Sequence, residues 1–333
     1  TAMRHHLLPL GLFLLLLASH ARAQDPNWSL PYATPMLVNP AMTGLMEGDA
    51  RFRAAHRLRR ATPQDNFQTS LLQGEGRIYN RLMDGGFGGL VAHDNVPGLN
   101  TNHFLGSFAY ELPFGNKVRY HHVRFGVQAG FTQRSIQNPD LFFEDQFDGT
   151  GFSGSTTELI QGDAELVGDA SIGLMWYRTQ KIRGNVEFNP FFGAALYHLN
   201  APEFNFLESS AESSTRRLSF QGGGTLHTRS PLDLSLNLTW DFQNESDQAT
   251  ITMLGRYNFF ENSMLFGKHK ASVMAGTVLR TGDGILAYTG VEYRNTITFG
   301  FAFDVLTSDD RFIDNTYGGL HVMISYMFGH ENY

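Results

Sequence analysis

The segment LDLSLNLTWDF alternates without a break. Leu232, Leu234, Leu236, Leu238, Trp240 and Phe242 fall on one side of an extended chain, and Asp233, Ser235, Asn237, Thr239 and Asp241 on the other. A helix repeats every 3.6 residues and a strand every two, so this pattern specifies a strand with one apolar and one polar face. ITFGFAFDV repeats it, with Ile297, Phe299, Phe301, Phe303 and Val305 against Thr298, Gly300, Ala302 and Asp304. VRFGVQAGF does so again, Val123, Phe125, Val127, Ala129 and Phe131 opposing Arg124, Gly126, Gln128, Gly130 and Thr132. Segments of about ten residues have the length of a tilted strand that crosses a bilayer.

The alternation defines fourteen candidate strands: 50–58, 67–79, 85–94, 101–111, 122–136, 164–178, 186–199, 216–228, 232–242, 249–260, 269–280, 284–294, 296–306 and 318–328. An even number suits a bacterial single-chain barrel. Past residue 23 no run of 18 apolar residues occurs, which excludes a helical membrane bundle. With 28 Phe, 35 Gly and no Cys, the chain must be stable without disulfides or a thiolate metal site. The expected fold is an all-β, transmembrane, outer-membrane antiparallel barrel over 49–329, followed by a short tail, 330–333. If the chain enters from the periplasm, the odd connections are external. These include the two longest, Gln137 to Gly162 and Asn200 to Thr215, whereas Thr179 to Arg183 and Arg294-Asn295 are short. The last strand, YGGLHVMISYMF, sets Leu320, Val322, Ile324, Tyr326 and Phe328 on one face and closes on an aromatic. A soluble β-sandwich is the competing architecture.

The first strand decides which side is wet. Arg51, Arg53, Arg57 and Arg59 share one face, and an arginine on the lipid face near the midplane costs about 2–4 kcal/mol. These four residues are therefore expected to face the lumen.

Residues 1–23 read as a signal peptide: a basic start at Arg4-His5-His6, the apolar run Leu7 to Leu17, and Ala21-Arg22-Ala23 as a cleavage site. Eleven apolar residues fall short of the ~20 that span a bilayer. Residues 24–48 then pose a puzzle. Prolines at 26, 31, 35 and 40 forbid a helix interior or a paired strand. Trp28, Tyr32, Met36, Leu37 and Val38 are too apolar for a solvated tail. The expectation is a plug or periplasmic lid packed on the lumen wall, with Gln24, Asp25, Pro26, Trp28, Tyr32, Asn39, Pro40 and Gly44 as its contact residues.

Enzymatic chemistry has no foothold. There is no His-Glu-x-x-His or Gly-x-Ser-x-Gly pattern, and Gly222-Gly223-Gly224 lacks the Lys-Ser/Thr of a phosphate loop. EDQFDGTG, Glu144 to Gly151, hints at calcium, but Phe147 stands where an EF-hand loop carries an acid. No catalytic residue, metal or cofactor is expected. A net charge of −7 argues against a nucleic-acid partner.

Gln24-Asp25-Pro26, Tyr32-Ala33, Asn39-Pro40-Ala41 and Gly44 together resemble the leader of the PorP/SprF family of type IX secretion and gliding-motility outer-membrane proteins. Gly88-Gly89 with His93-Asp94 and Gly98, FAYELPF (Phe108 to Phe114), and FGVQAGFTQRSI followed by LFFEDQFDGTGF continue the likeness. Phe143, Asp145, Gln146, Phe147 and Asp148 of the last stretch fall in the connection Gln137 to Gly162, expected to be an extracellular loop. Tyr197 to Pro202, Arg280 to Asp283 and Phe303-Asp304 follow in family order. Two places depart from it: His56-Arg57-Leu58-Arg59-Arg60 at the end of the first strand, and Gly318-Gly319-Leu320-His321. The resemblance implies a non-enzymatic barrel that helps export, shuttle or anchor large surface proteins bearing a gliding-type C-terminal domain. Its implied partners are that cargo, the type IX translocon, periplasmic ring or peptidoglycan-linked components, and outer-membrane lipid. The alternative is a transport barrel for an apolar or small polar solute, gated by the same N-terminal stretch.

Overall fold

The computed structural model describes residues 34–60, 66–79, 83–116, 119–136, 164–182, 186–207, 210–228, 230–244, 246–263, 267–282, 284–306 and 318–329. Its strands are β1 (Ala50–Arg60), β2 (Asn66–Tyr79), β3 (Asp84–Val96), β4 (Leu99–Asn116), β5 (Arg119–Ile136), β6 (Ala164–Ile182), β7 (Val186–Tyr197) and β8 (Glu203–Leu207). There follow β9 (Ser210–Ser213), β10 (Arg217–His227), β11 (Leu232–Gln243), β12 (Ser246–Ser263), β13 (Gly267–Arg280), β14 (Gly284–Tyr293), β15 (Ile297–Leu306) and β16 (Gly319–Phe328).

All of these except β8 and β9 form one closed antiparallel barrel of fourteen strands. Sequence neighbours pair, β7 pairs with β10, and β16 returns to β1 from Ala50↔Phe328 to Arg59↔Gly319. No helix among the described residues is long and apolar enough to cross a membrane. The barrel crosses with its strands.

The two faces of each strand behave as the alternation requires. Phe299, Phe301, Phe303 and Val305 are about half exposed, while Gly300, Ala302 and Asp304 between them are buried. On β11, Leu234, Leu236, Leu238 and Trp240 are all at least 45% exposed. An apolar outside around a polar, buried inside is the arrangement a lipid solvent demands. The soluble sandwich would have hidden these same side chains between its sheets.

Three local features differ from the alternation pattern. The stretch 200–215 is not a plain connection, because β8 and β9 form a separate hairpin within it, too short to cross a membrane. Phe204 of that hairpin is buried, with the Arg134 guanidinium of β5 stacked 4.2 Å from its ring centre. Secondly, β6 continues to Ile182 through the residues expected to turn at 179–183. The ladder to β7 resumes at Gln180↔Phe188 after skipping the positions opposite Asn189 and Pro190, and proline has no N–H to donate. Thirdly, β4 and β5 extend beyond the expected 111 and 122 by pairing as far as Asn116↔Arg119.

Both termini of the barrel lie at one end, hereafter the near end, where the amide of Asp49 donates to the Phe328 carbonyl at 2.9 Å. The connections after β5 and β7, the two longest, leave from the opposite or far end.

Candidate functional site

Residues 34–49 run from the lumen to the near-end rim. Prolines at 35 and 40 begin a four-residue helix, Pro35–Val38, and a single 3-10 turn, Pro40–Met42. Fixed φ and a missing N–H suit proline to the first turn of a helix and to nothing longer here. So short a piece satisfies few of its own carbonyls. The barrel wall supplies the donors.

Gln128 of β5 donates to the Met36 carbonyl at 3.3 Å, the Tyr197 hydroxyl of β7 to Leu37 at 3.0 Å, and Gln221 of β10 to Val38 at 3.0 Å. Arg124 of β5 reaches two more carbonyls, Ala41 at 2.8 Å and Thr43 at 2.5 Å. The Asn39 amide nitrogen donates to Gln221 Oε1 at 2.9 Å and to the Leu174 and Ala194 carbonyls at 3.1 and 3.3 Å, and its oxygen accepts from the Ala41 amide. Thr34, Met36, Asn39, Ala41 and Thr43 are fully buried.

Two carboxylates anchor this arrangement. Glu111 of β4 pairs with Arg124 at 2.6 Å, His122 at 2.6 Å and the Tyr177 hydroxyl at 3.0 Å, fixing the guanidinium that holds Ala41 and Thr43. Glu75 of β2 accepts from the Gly44 amide at 2.8 Å on one oxygen, and from Arg51 and Gln73 on the other. Charge-assisted bonds of this kind are the strong ones, and burial removes competing water.

Close approach of two backbones needs glycine. A Cβ on Gly126 would overlap the Pro40–Ala41 peptide, one on Gly173 the Asn39 side chain, and one on Gly86 the backbone at Thr43–Gly44. Gly44 itself takes φ +70°, which L side chains rarely adopt, and a Cβ there would overlap Gly86 and the Gly76 carbonyl. Met36 completes the contact, packing with Leu71, Leu90 and Ala92 from the inner face.

Of the residues expected to make this contact, Asn39, Pro40 and Gly44 are brought against β2, β3, β5, β6, β7 and β10. Gln24, Asp25, Pro26, Trp28 and Tyr32 lie outside the described residues, as do Phe143, Asp145, Gln146, Phe147 and Asp148 and residues 1–23. Of the arginines, Arg51 pairs with Glu75 at 2.6 Å, and Arg53 is buried, whereas Phe52 between them is exposed. Arg57 lies 3.5 Å from Asp304, which Arg280 also approaches at 3.5 Å and His321 at 3.4 Å. Arg59 is half-buried. His321, one of the departures from the family pattern, thus belongs to a buried charge cluster centred on Asp304. Among the described residues no group of three or more His, Cys, Asp or Glu could hold a metal.

Sequence reading missed Glu75, Glu111, Tyr197 and Gln221. Their signal was a carboxylate, phenol or amide on the inward face of a strand, among other polar residues of that face. Arg124 and Gln128 had been placed on the polar face without a role.

The other side of the lumen carries an apolar cluster of its own. Met274, Val278, Leu286, Tyr288, Ala302 and Met323 point inward from β13 to β16 and pack on one another, joined by Ala55 and Leu254.

A family model described as type IX secretion system membrane protein PorP/SprF matches residues 21–326, nearly the whole chain. The chain belongs to the PorP/SprF family. With the closed barrel and its apolar exterior, this places it in the outer membrane. No curated protein matches it. Among solved structures it is similar to the Ralstonia pickettii toluene transporter TbuX, with 11% identity over 90% of this chain and 94% of that one and a TM-score of 0.49. The CymD monoaromatic hydrocarbon channel is similar at 10% identity over 94% and 96%, TM-score 0.49. A Pseudomonas aeruginosa FadL homologue is similar at 11% identity over 88% and 93%, TM-score 0.44.

Proposed function

We propose that this PorP/SprF barrel is a non-enzymatic component of the type IX machinery that helps export, shuttle or anchor large surface proteins carrying a gliding-type C-terminal domain. It would do so in contact with the translocon and with periplasmic ring or peptidoglycan-linked components. In this reading residues 24–48 are the plug or lid. The observation that carries it is the set of wall donors on the Met36, Leu37, Val38, Ala41 and Thr43 carbonyls, which holds this stretch in the lumen beside β5, β7 and β10. A barrel so filled suits gripping a partner at its rim better than passing a solute.

Deletion of Gln24 to Thr43 behind the first 23 residues tests the reading. The truncated barrel should remain in the membrane and stay heat-modifiable, because every strand is kept. It should lose its large surface cargo, followed by affinity capture from native outer membrane with mass spectrometry, and its single-channel conductance should rise. A truncated protein that retains cargo and conducts no more than the parent defeats the proposal.

The far end is assigned to the cell exterior, since long connections lie outside in such barrels. The chain has no cysteine, so Pro97→Cys at the far end and Ser230→Cys at the near end give clean probes. On intact cells an impermeant maleimide should label the first and spare the second.

The solute-transport reading draws on a cavity on the far-end side of Thr34, Leu37 and Val38. Uptake of a small solute without any co-purifying surface protein would favour it.

A further inference from the structure

We propose that the far-end lumen cavity is a binding site for an alkylammonium group, the head of a small amine or of a lysine side chain. The inference goes beyond the secretion reading and holds whichever role the barrel serves. The cavity is floored by the residues 34–38 segment and walled by positions near the far ends of β2 to β7 and β10 to β12.

Its charge is the first argument. Asp94, Asp169 and Asp241 line it against a single guanidinium, Arg217, which stacks 4.2 Å over the Tyr197 ring. Such an enclosure repels a carboxylate or phosphate guest.

Asp169 is the second and deciding one. It is only 9% exposed, and one oxygen lies 2.9 Å from His198 Nδ1, but the other has no hydrogen-bond partner among the described residues. A buried carboxylate oxygen without a donor is costly, and natural structures satisfy such groups. The missing partner must bring N–H or O–H groups and, opposite an anion, positive charge. An ammonium brings three N–H donors and a full charge.

The floor supplies the third argument. Leu37, Val38, Ala92 and Leu105 offer an apolar surface beside the carboxylates. An alkyl stem covers such a surface while its charged head stays among polar groups, as lysine stems do. A metal ion fits less well, since no described group of three ligating side chains is close enough to hold one.

The test is a calorimetric titration of the purified full chain in detergent with butylammonium, butanol and butyrate. Butylammonium should bind saturably, with butanol and butyrate at least about ten-fold weaker, a difference of one decade in Kd. Asp169→Asn should weaken butylammonium by about ten-fold or more, with heat-modifiability as the check on folding. Because Asp169→Asn also disturbs His198, Asp241→Asn serves as the second variant and should produce a smaller loss of the same ligand. Acetyl-glycyl-lysyl-glycine amide separates the two sources: tighter binding than butylammonium assigns a lysine side chain, weaker binding a free amine. Butylammonium binding no tighter than butanol, or unchanged by both substitutions, overturns the proposal.

Discussion

The two sides of the lumen are filled by different means. Beside β2 to β7 and β10 the wall is lined by glycines and long polar side chains, and its space is occupied by residues 34–44 through hydrogen bonds. Beside β12 to β16 the wall packs Met274, Val278, Leu286, Tyr288 and Met323 on one another, and its buried charges, Asp304 with Arg57, Arg280 and His321, join strand to strand rather than holding an added segment. The apolar side is non-directional and tolerant, because its stabilisation scales with area removed from water. The polar side is specific and brittle, because each buried donor or acceptor that loses its partner is penalised. The polar side is filled by a segment outside the strand ladders, the apolar side by the strands themselves.

Substitutions that break this contrast differ in size. The largest effect is expected from Arg124→Ala, which strands the buried Glu111 and frees the Ala41 and Thr43 carbonyls. Removing one partner of a buried pair costs about 3–5 kcal/mol. Limited proteolysis should find residues 34–44 cleavable while the barrel keeps its heat-modifiable shift; continued protection of that stretch would deny Arg124 its role as clamp.

Leu286→Ala, on the opposite side, should cost about 2–5 kcal/mol in urea unfolding, as a cavity-forming change at a fully buried leucine. Residues 34–44 should stay protected. Release of the segment by this substitution would mean that the two sides are coupled.

Leu236→Arg sharpens the inside–outside distinction: about 2–4 kcal/mol is expected for a lipid-facing arginine near the midplane, and little for Asn237→Arg beside it. Equal unfolding shifts for the two would reverse the faces of β11.

Gly126→Val is expected to be the mildest of the four, about 1–3 kcal/mol of overpacking against the Pro40–Ala41 peptide. Its readout is partial protease sensitivity of residues 34–44, between that of the parent and that of Arg124→Ala.

The barrel was legible because membrane strands carry their own instructions. Each alternating run such as Leu232 to Phe242 states its two faces locally, and lipid on one side leaves no ambiguity about which is which. What lies inside was harder to read. Prolines 35 and 40 announced a constrained segment, within which Asn39, Pro40 and Gly44 were expected as contact residues. Their partners were not, because Glu75, Glu111 and Gln221 are far away in sequence and alternate with apolar residues like any solvated lumen residue. The hairpin β8–β9 was missed for a related reason: Glu203–Leu207 is too short for a period to declare itself. The extension of β6 past Thr179 depended on pairing with β7 beyond a proline, which no local pattern encodes.

The placement of the clasping residues along the chain bears on the order of assembly. The seam between β1 and β16 cannot form until Gly319–Phe328 has been made and delivered, and it joins residues at opposite limits of the barrel sequence. Among the described residues, the wall side chains that hydrogen-bond to residues 36–44 all come earlier, from β2 to β10. Closing a loop grows more costly with its length, by about 0.6 kcal/mol per doubling, so the nearer partners have the advantage. A curved, still-open sheet ending at β10 already contains the whole cradle. The N-terminal segment can therefore be seated before the wall is complete, giving the remaining strands a filled surface to curl around.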